Sequence, residues 1–367
     1  MATALALSER GRGLTAPNPN VGCVIVRDGI VVGRGWTQPG GRPHAEAMAL
    51  EQAGDKARGA TVYITLEPCA HRSPRGPACA DSLVAAGPAR VVASLEDPDP
   101  RTAGAGFARL RAAGIAVDVR LLANEARQAM AGFLMRRSAG RPFVTLKLAT
   151  SLDGRIALAD GSSRWITGDA ARAHVHLERA RHEAILVGRG TWEADAPRLD
   201  VRLPGLETRS PRRILLSSSG PLPSSQPLPS SQRRLGSMSC DESGDAKGES
   251  DGPQPSALPK FILSDAAGGV EGLGRQDTIT SPQDISALEA VDHLFVEGGA
   301  QTAASFLRAD LVDRLLLYRA PILIGTGKSA LGDIGLTDLA GAHGRWRLSD
   351  ARMLGRDRLE VYQRARS

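Results

Sequence analysis

Thr61-Val62-Tyr63-Ile64-Thr65-Leu66-Glu67-Pro68-Cys69 runs from an alternating β-branched and aromatic stretch into a proline and a cysteine. Alternation of this kind predicts a buried strand over 61–66. The proline ends it, which sets Cys69 at the strand's carboxyl end. Upstream, His44-Ala45-Glu46 opens a segment, 45–53, that reads as a helix closed by Gly54. Downstream, Cys79 stands just before a predicted helix over 80–86 that ends at Gly87, and 90–95 reads as another strand. Two earlier apolar runs, 21–27 and 30–36, are joined by Asp28-Gly29, a two-residue hairpin signal. Strands and helices alternating in this way predict a layered α/β domain over residues 1–140.

Two cysteines and a histidine form a donor set for tetrahedral zinc that leaves the fourth position to water, as catalytic sites do. Zinc lowers the pKa of such a water toward neutrality. Glu46, two residues from His44, is placed to carry a proton from water to departing ammonia. His-x-Glu followed by Pro-Cys-x-x-Cys marks zinc nucleobase deaminases; here nine residues, not two, separate Cys69 from Cys79. The same residues are compatible with a chance His-Ala-Glu beside unrelated cysteines, or with a structural zinc knuckle. Cys23, inside Val21-Gly22-Cys23-Val24-Ile25-Val26, reads as a small core residue. Cys240 lies alone in a Ser-rich stretch, and four cysteines in 367 residues make no disulfide framework.

A break is predicted near Ser138-Ala139-Gly140-Arg141-Pro142, with a second α/β series over 141–367. Its expected strands are 143–149, 184–188, 213–217, 293–297 and 314–318, and its helices 169–181 and 300–309. Residues 217–256 are rich in Ser, Pro, Gly and charge, and repeat Pro-Leu-Pro-Ser-Ser-Gln at 221–226 and 227–232. That composition cannot bury enough apolar surface to offset its ordering, so a disordered insertion is expected. Pattern resumes at Phe261-Ile262-Leu263. Gly298-Gly299 lies between a strand and a helix, where backbone N–H groups can cradle a phosphate or where the chain simply turns. No Gly-x-Gly-x-x-Gly follows a first strand, so a Rossmann domain is not predicted.

The formal charge of +6 is dispersed and suits either nucleic acid or phosphorylated small molecules. Aromatic residues, at 4%, supply few stacking platforms for single strands. No stretch approaches the roughly 20 apolar residues of a membrane span. Met1 to Gly13 reads as a short helix with Glu9, Arg10 and Arg12, without the plan of a signal peptide, so a cytoplasmic protein is expected.

Ala16-Pro17-Asn18-Pro19-Asn20-Val21-Gly22, His44-Ala45-Glu46-Ala47 and Thr65-Leu66-Glu67-Pro68-Cys69-Ala70-His71 resemble the deaminase half of the bifunctional deaminase/reductase family of riboflavin biosynthesis. Lys147-Leu148-Ala149-Thr150-Ser151-Leu152-Asp153-Gly154, Ser163-Arg164-Trp165-Ile166-Thr167-Gly168, Asp195-Ala196-Pro197-Arg198-Leu199 and Val296-Glu297-Gly298-Gly299 resemble its reductase half, in the family's order. In that family the second cysteine lies beyond an inserted loop, which suits Cys79. The resemblance implies an N-terminal cytidine-deaminase-like three-layer αβα domain, then a dihydrofolate-reductase-like α/β domain that binds NADPH. It implies zinc on His44, Cys69 and Cys79, with Glu46 as the acid–base group. The implied substrate is 2,5-diamino-6-ribosylamino-4-pyrimidinone 5′-phosphate, whose 2-amino group is hydrolysed. Asn18 would bond the pyrimidine, and His71 either faces the substrate or is solvated.

In the second half the resemblance implies cofactor contacts from Ala149, Trp165, Thr191, Asp195, Ser218 and the run Gly299, Ala300, Gln301, Thr302, Ala303, Ala304 and Ser305. Substrate contacts are implied for Ser163, Arg179, Leu199, Arg202 and Glu297. A guanidinium fork matches phosphate oxygens, although each arginine reads equally as a solvated charge, and Trp165 as core packing. Lys147 and Glu297 are the ionisable groups placed for the reductive step, in which hydride reaches the sugar C1′ and a proton is delivered nearby. A structural Lys147–Glu297 ion pair is the alternative. The family also implies a homo-oligomer with small phosphorylated pyrimidine substrates and neither nucleic acid nor membrane as partner. Two rivals stay open: a zinc-dependent tRNA or cytidine deaminase with an unrelated C-terminal domain, and a non-enzymatic nucleic-acid binder on a deaminase scaffold.

Overall fold

The computed structural model describes residues 1–71, 75–219 and 277–366. From residue 220 onward the expected insertion lies outside the described residues, as do Cys240 and the apolar run at 261–263. The first half is built on a five-stranded sheet in the order β2-β1-β3-β4-β5. Its strands are β1 (Gly22–Arg27), β2 (Ile30–Trp36), β3 (Thr61–Ile64), β4 (Arg90–Ala93) and β5 (Ala116–Val119). β1 runs antiparallel to β2 and β3, and β3, β4 and β5 are parallel. The expected hairpin forms because Asp28 (φ 51°) and Gly29 (φ 77°) both enter the left-handed region that a tight two-residue turn requires.

Three glycines show how the layers stack. Cys23 pairs with Gly35 and Ile25 with Gly33, so these four share a face of the sheet, and neighbouring Gly22 points the other way. A Cβ on Gly35 or Gly33 would enter the backbone of α2 (Ala45–Ala53), whereas one on Gly22 would enter that of α1 (Ala2–Ser8). The two helices therefore cover opposite faces, which is the three-layer αβα arrangement. β3 ends two residues earlier than expected, and α3 (Cys79–Ala86) begins at Cys79 itself. α4 (Ala105–Ala112), α5 (Ala123–Ala129) and α6 (Ala131–Ala139) complete this half. Ile25, Ile64, Leu83, Leu110 and Met130 are fully buried at its centre.

Gly140 (φ 68°) closes α6, and the second half begins with β6 (Phe143–Thr150). Its eight-stranded sheet has the order β10-β9-β8-β11-β6-β12-β15-β14. β8 (Ala184–Gly188), β9 (Arg212–Leu216), β10 (Asp277–Ile279), β11 (His293–Val296) and β12 (Arg314–Arg319) run parallel with β6. β14 (Trp346–Leu354) and β15 (Asp357–Arg364) add an antiparallel hairpin at one edge, and β7 (Arg155–Leu158) pairs with β13 (Gly327–Ser329) in a separate ribbon. Among the described residues its α-helices are α7 (Asp169–Arg179), α8 (Arg189–Asp195) and α9 (Ala300–Arg308). Parallel strands gather their carboxyl ends along one edge, where open α/β sheets place their ligands. The register sets Val296 beside Leu146, so Glu297 emerges level with Lys147. Among the described residues, no helix is long and apolar enough to cross a membrane.

The hydrophobic clusters of the two halves share no residue, yet α6 is fastened to the second half by polar contacts. Arg136 donates to the carbonyls of Ser286 (2.9 Å), Leu288 (2.8 Å) and Val291 (2.5 Å). The Gly132 N–H donates to Nε2 of His293 at 3.2 Å. A Cβ at Gly132 would lie 2.6 Å from both nitrogens of that ring, so only glycine fits without a shift. Gly132→Ala is expected to cost about 1–3 kcal/mol, as overpacking does, read as a fall in the denaturant midpoint. An unchanged midpoint would mean that the imidazole swings aside freely.

Candidate active sites

His44 stands in extended conformation at the N-cap of α2, which turns Glu46 inward on the helix's first turn, 3% exposed. Cys69 follows β3, and Cys79 opens α3 beside it. The Nδ1 of His44 lies 3.3 Å from the Cys79 sulfur and 3.7 Å from the Cys69 sulfur, and the Cys79 N–H donates to the Cys69 sulfur at 3.3 Å. In a tetrahedron with Zn–S of about 2.3 Å and Zn–N of about 2.0 Å, a sulfur–nitrogen edge measures roughly 3.5 Å. The three ligand atoms already stand at that spacing and within 4.8 Å of one another, so the donor set fits zinc.

The hydrogen bond from Cys79 brings the Cys69 thiol down to about 4 against the effect of burial, while the same bond and burial hold Cys79 well above its ordinary value. Burial pushes the Glu46 carboxyl up, with His44 opposing.

The cleft in front of these residues is also lined by Asn18, His71, Asp97, Asp99, Phe133 and Arg137. Asn18 packs its amide where a Cβ at Gly41 would sit, and Nδ1 of His71 lies 3.4 Å from the Thr102 hydroxyl. The loop beyond β4 is folded over the cleft by Glu67, whose carboxylate accepts N–H groups from Asp97 (3.2 Å), Gly104 (2.9 Å) and Phe107 (3.1 Å). Asp97, Asp99, Phe133 and Arg137 carry no motif. The one sequence signal was Asp97-Pro98-Asp99-Pro100, two acids held by prolines just past the end of a strand.

At the carboxyl edge of the second sheet, Glu297 accepts from Arg179 through Nε (2.6 Å) and Nη2 (3.1 Å), and Nζ of Lys147 lies 3.9 Å away. The third nitrogen of Arg179 donates to the Asp200 carbonyl at 2.9 Å. Burial alone would raise the Glu297 carboxyl; Arg179 and Lys147 outweigh it and hold it below its ordinary range. Burial lowers the Lys147 ammonium, only partly offset by Glu297. The Lys147–Glu297 pair is therefore present, with Arg179 as a third member.

The Gly299 N–H donates to the Thr191 hydroxyl at 3.2 Å, and a Cβ on Gly298 would run into Thr302. Thr191, Gly298-Gly299 and Thr302 thus meet at the start of α9, with the Thr302 side chain packed against Gly298. A helix N-terminus following a glycine pair suits the phosphates of a nucleotide such as NADPH. Farther along the helix, Gln301 is exposed, Ser305 bonds the Thr302 carbonyl, and Ala303 and Ala304 turn into the core. Trp165 is 65% exposed beneath the Arg172 guanidinium, so it is not core packing. Ala149 is half-buried in β6, Leu199 is buried, and Arg202 is exposed 3.5 Å from Asp200. Ser163, Asp195 and Ser218 lie exposed before α7, at the end of α8 and in the turn after β9.

Residues 1–95 match the family model of the cytidine and deoxycytidylate deaminase zinc-binding region, and residues 142–359 match that of the RibD C-terminal domain. The chain is 41% identical to riboflavin biosynthesis protein RibD of Escherichia coli (strain K12), over 97% of this chain and 96% of that protein. It is 40% identical to RibD of Haemophilus influenzae, over 97% and 94%. In structure it is similar to Acinetobacter baumannii RibD, with a TM-score of 0.79 and 33% identity over 100% of this chain and 98% of that one. It is likewise similar to a diaminohydroxyphosphoribosylaminopyrimidine deaminase/5-amino-6-(5-phosphoribosylamino)uracil reductase from Thermotoga maritima, at 0.78 and 29% over 100% and 97%. With both halves matched in order over nearly the whole length, the chain belongs to the RibD family of bifunctional deaminase/reductases of riboflavin biosynthesis.

Proposed function

We propose that the chain performs two successive steps on one phosphorylated pyrimidine. It removes the 2-amino group of 2,5-diamino-6-ribosylamino-4(3H)-pyrimidinone 5′-phosphate by hydrolysis and then reduces the ribosyl group of the product to ribityl. The observation that carries this reading is the presence on one chain of two chemically distinct centres, His44–Cys69–Cys79 with Glu46 and Lys147–Arg179–Glu297 beside the start of α9. A tRNA or cytidine deaminase would have no use for the second. Residues 1–140 form the deaminase domain in this reading and 141–367 the reductase domain. The protein works in the cytoplasm as a homo-oligomer.

His44, Cys69 and Cys79 would hold zinc, which would supply activated water, and NADPH in the second half would supply hydride. The Glu46 carboxylate takes a proton from the water as it adds to C2 and returns it to the nitrogen that leaves as ammonia. Asn18 orients the pyrimidine. In the second step Nζ of Lys147, with its ammonium acidity increased by burial, delivers the proton. Arg179 fixes Glu297, and Glu297 keeps Lys147 in place. Thr191, Trp165 and the first turn of α9 bind the cofactor, while Ser163, Arg202 and Glu297 face the sugar phosphate.

A coupled assay on zinc-loaded protein tests both steps at once. With the diaminopyrimidine ribotide, ammonia is expected to appear first and NADPH oxidation to follow at a rate set by it. Ammonia without NADPH oxidation would remove the second assignment, and NADPH oxidation without ammonia would reverse the order.

A further inference from the structure

A pyrimidine that carries a ribose 5′-phosphate brings a dianion to the first site, and the charge lies at the far end of the sugar from the amino group that leaves. The residue that meets it should be a cation at the rim of the cleft. Among the described residues, three arginines line this cleft: Arg42, Arg101 and Arg137. Arg42 stands two residues before His44, at the metal end. Arg101 has closed its fork on Asp99, with Nε at 3.0 Å from Oδ1 and Nη2 at 2.5 Å from Oδ2.

Arg137 is differently placed. Among the described residues it forms one ion pair, Nη2 to Oδ2 of Asp99 at 3.2 Å, and its charge also acts on Asp97. Its guanidinium lies 5.4 Å over the Phe133 ring, one helical turn back, and is 39% exposed. The Arg101 and Arg137 pair hold the Asp99 carboxyl well below its ordinary range, so two cations share one anion there. Glu67 and Asp97 are recessed, at 3% and 8% exposed, which leaves guanidinium facing outward. The helix is also braced: Arg136 and Gly132 tie α6 to residues 286–293, so Arg137 projects from a fixed support.

The geometry points to Arg137 as the residue that selects a phosphorylated substrate in the deaminase cleft. This rests on the two-step reading above. A charge-assisted contact between guanidinium and phosphate is strong and directional, and its loss weakens ground-state and transition-state binding together. The effect should therefore fall on KM rather than kcat.

The test is steady-state ammonia release by the full-length, zinc-loaded protein on the ribotide and on its dephosphorylated riboside. For Arg137→Ala, KM for the ribotide is expected to rise about 10- to 100-fold with kcat within about threefold. The kcat/KM for the riboside should stay at the wild-type value, and Arg137→Lys should recover most of the ribotide KM. Reduction of the deaminated ribotide by the same samples reports that the chain is folded. If Arg137→Ala fails that control, Arg137→Met, which keeps an apolar stem over Phe133, is expected to give the same split. A ribotide KM within about threefold of wild type, or equal losses on both substrates, would overturn the assignment to Arg137 alone. Failure of the wild-type protein to deaminate the ribotide would overturn the two-step reading and this inference together.

Discussion

Glu46→Gln should slow ammonia release by about 10²- to 10⁴-fold, the usual contribution of a positioned acid–base group, with zinc content unchanged. The substitution keeps the shape and the burial of the side chain but removes the oxygen that accepts a proton. Glu46 is 3% exposed on the first turn of α2, whereas the ligand atoms come from His44, Cys69 and Cys79, so the metal's own donors are untouched. Metal analysis by atomic absorption alongside the kinetics separates loss of chemistry from loss of zinc. NADPH oxidation on the deaminated ribotide should remain within about twofold of wild type, because Lys147 and Glu297 lie in a different sheet. Ammonia release within tenfold of wild type would remove Glu46 from the proton path.

The second large effect is expected at Glu297. Its carboxylate, 9% exposed, is the counter-charge to Arg179 and Lys147 at once. Glu297→Gln leaves two poorly solvated cations without an anion between them, which typically costs about 3–5 kcal/mol. Reduction should fall by at least about 100-fold, as when a group that fixes the reacting geometry is lost, with deamination unaffected. The double variant Glu297→Gln/Lys147→Met distinguishes the two roles. Removing one orphaned cation should restore part of the lost midpoint in a denaturant titration, yet reduction should stay absent. Recovery of NADPH oxidation in the double variant would make the triad a structural device and nothing more.

Much of this arrangement was legible in the chain because particular residues admit few conformations. Asp28-Gly29 specified a hairpin, and both residues adopt positive φ. The interval from His44 to Gly54 specified α2 with the bounds found, and Cys23 is a buried core residue as read. The zinc donors were legible by residue type, although the distance between Cys69 and Cys79 could be judged only once both sulfurs were placed. Elements without contrast were missed. α4 is Ala-Gly-Phe-Ala-Arg-Leu-Arg-Ala, with few apolar residues to mark a face, and most of β14 lies exposed, so Trp346–Leu354 shows no buried alternation. The far wall of the cleft was invisible for another reason. Phe133 and Arg137 share a face of α6 at i, i+4, but only tertiary packing brings them to Asp99.

The braced seat of α6 also bears on the order in which the protein matures. Its four hydrogen-bonding acceptors, including three carbonyls, lie 150 to 161 residues further along the chain. At about 5–20 residues per second of synthesis, the helix leaves the ribosome roughly 10–30 s before they exist. Contacts of such long separation also form late in refolding, since the loop they close must be ordered first. The zinc donors, by contrast, all lie within residues 44–79 and can assemble early. The nascent chain therefore holds all three zinc donors well before the cleft wall formed by Phe133 and Arg137 is seated, and that seating waits until the strand serving the second centre has been laid down.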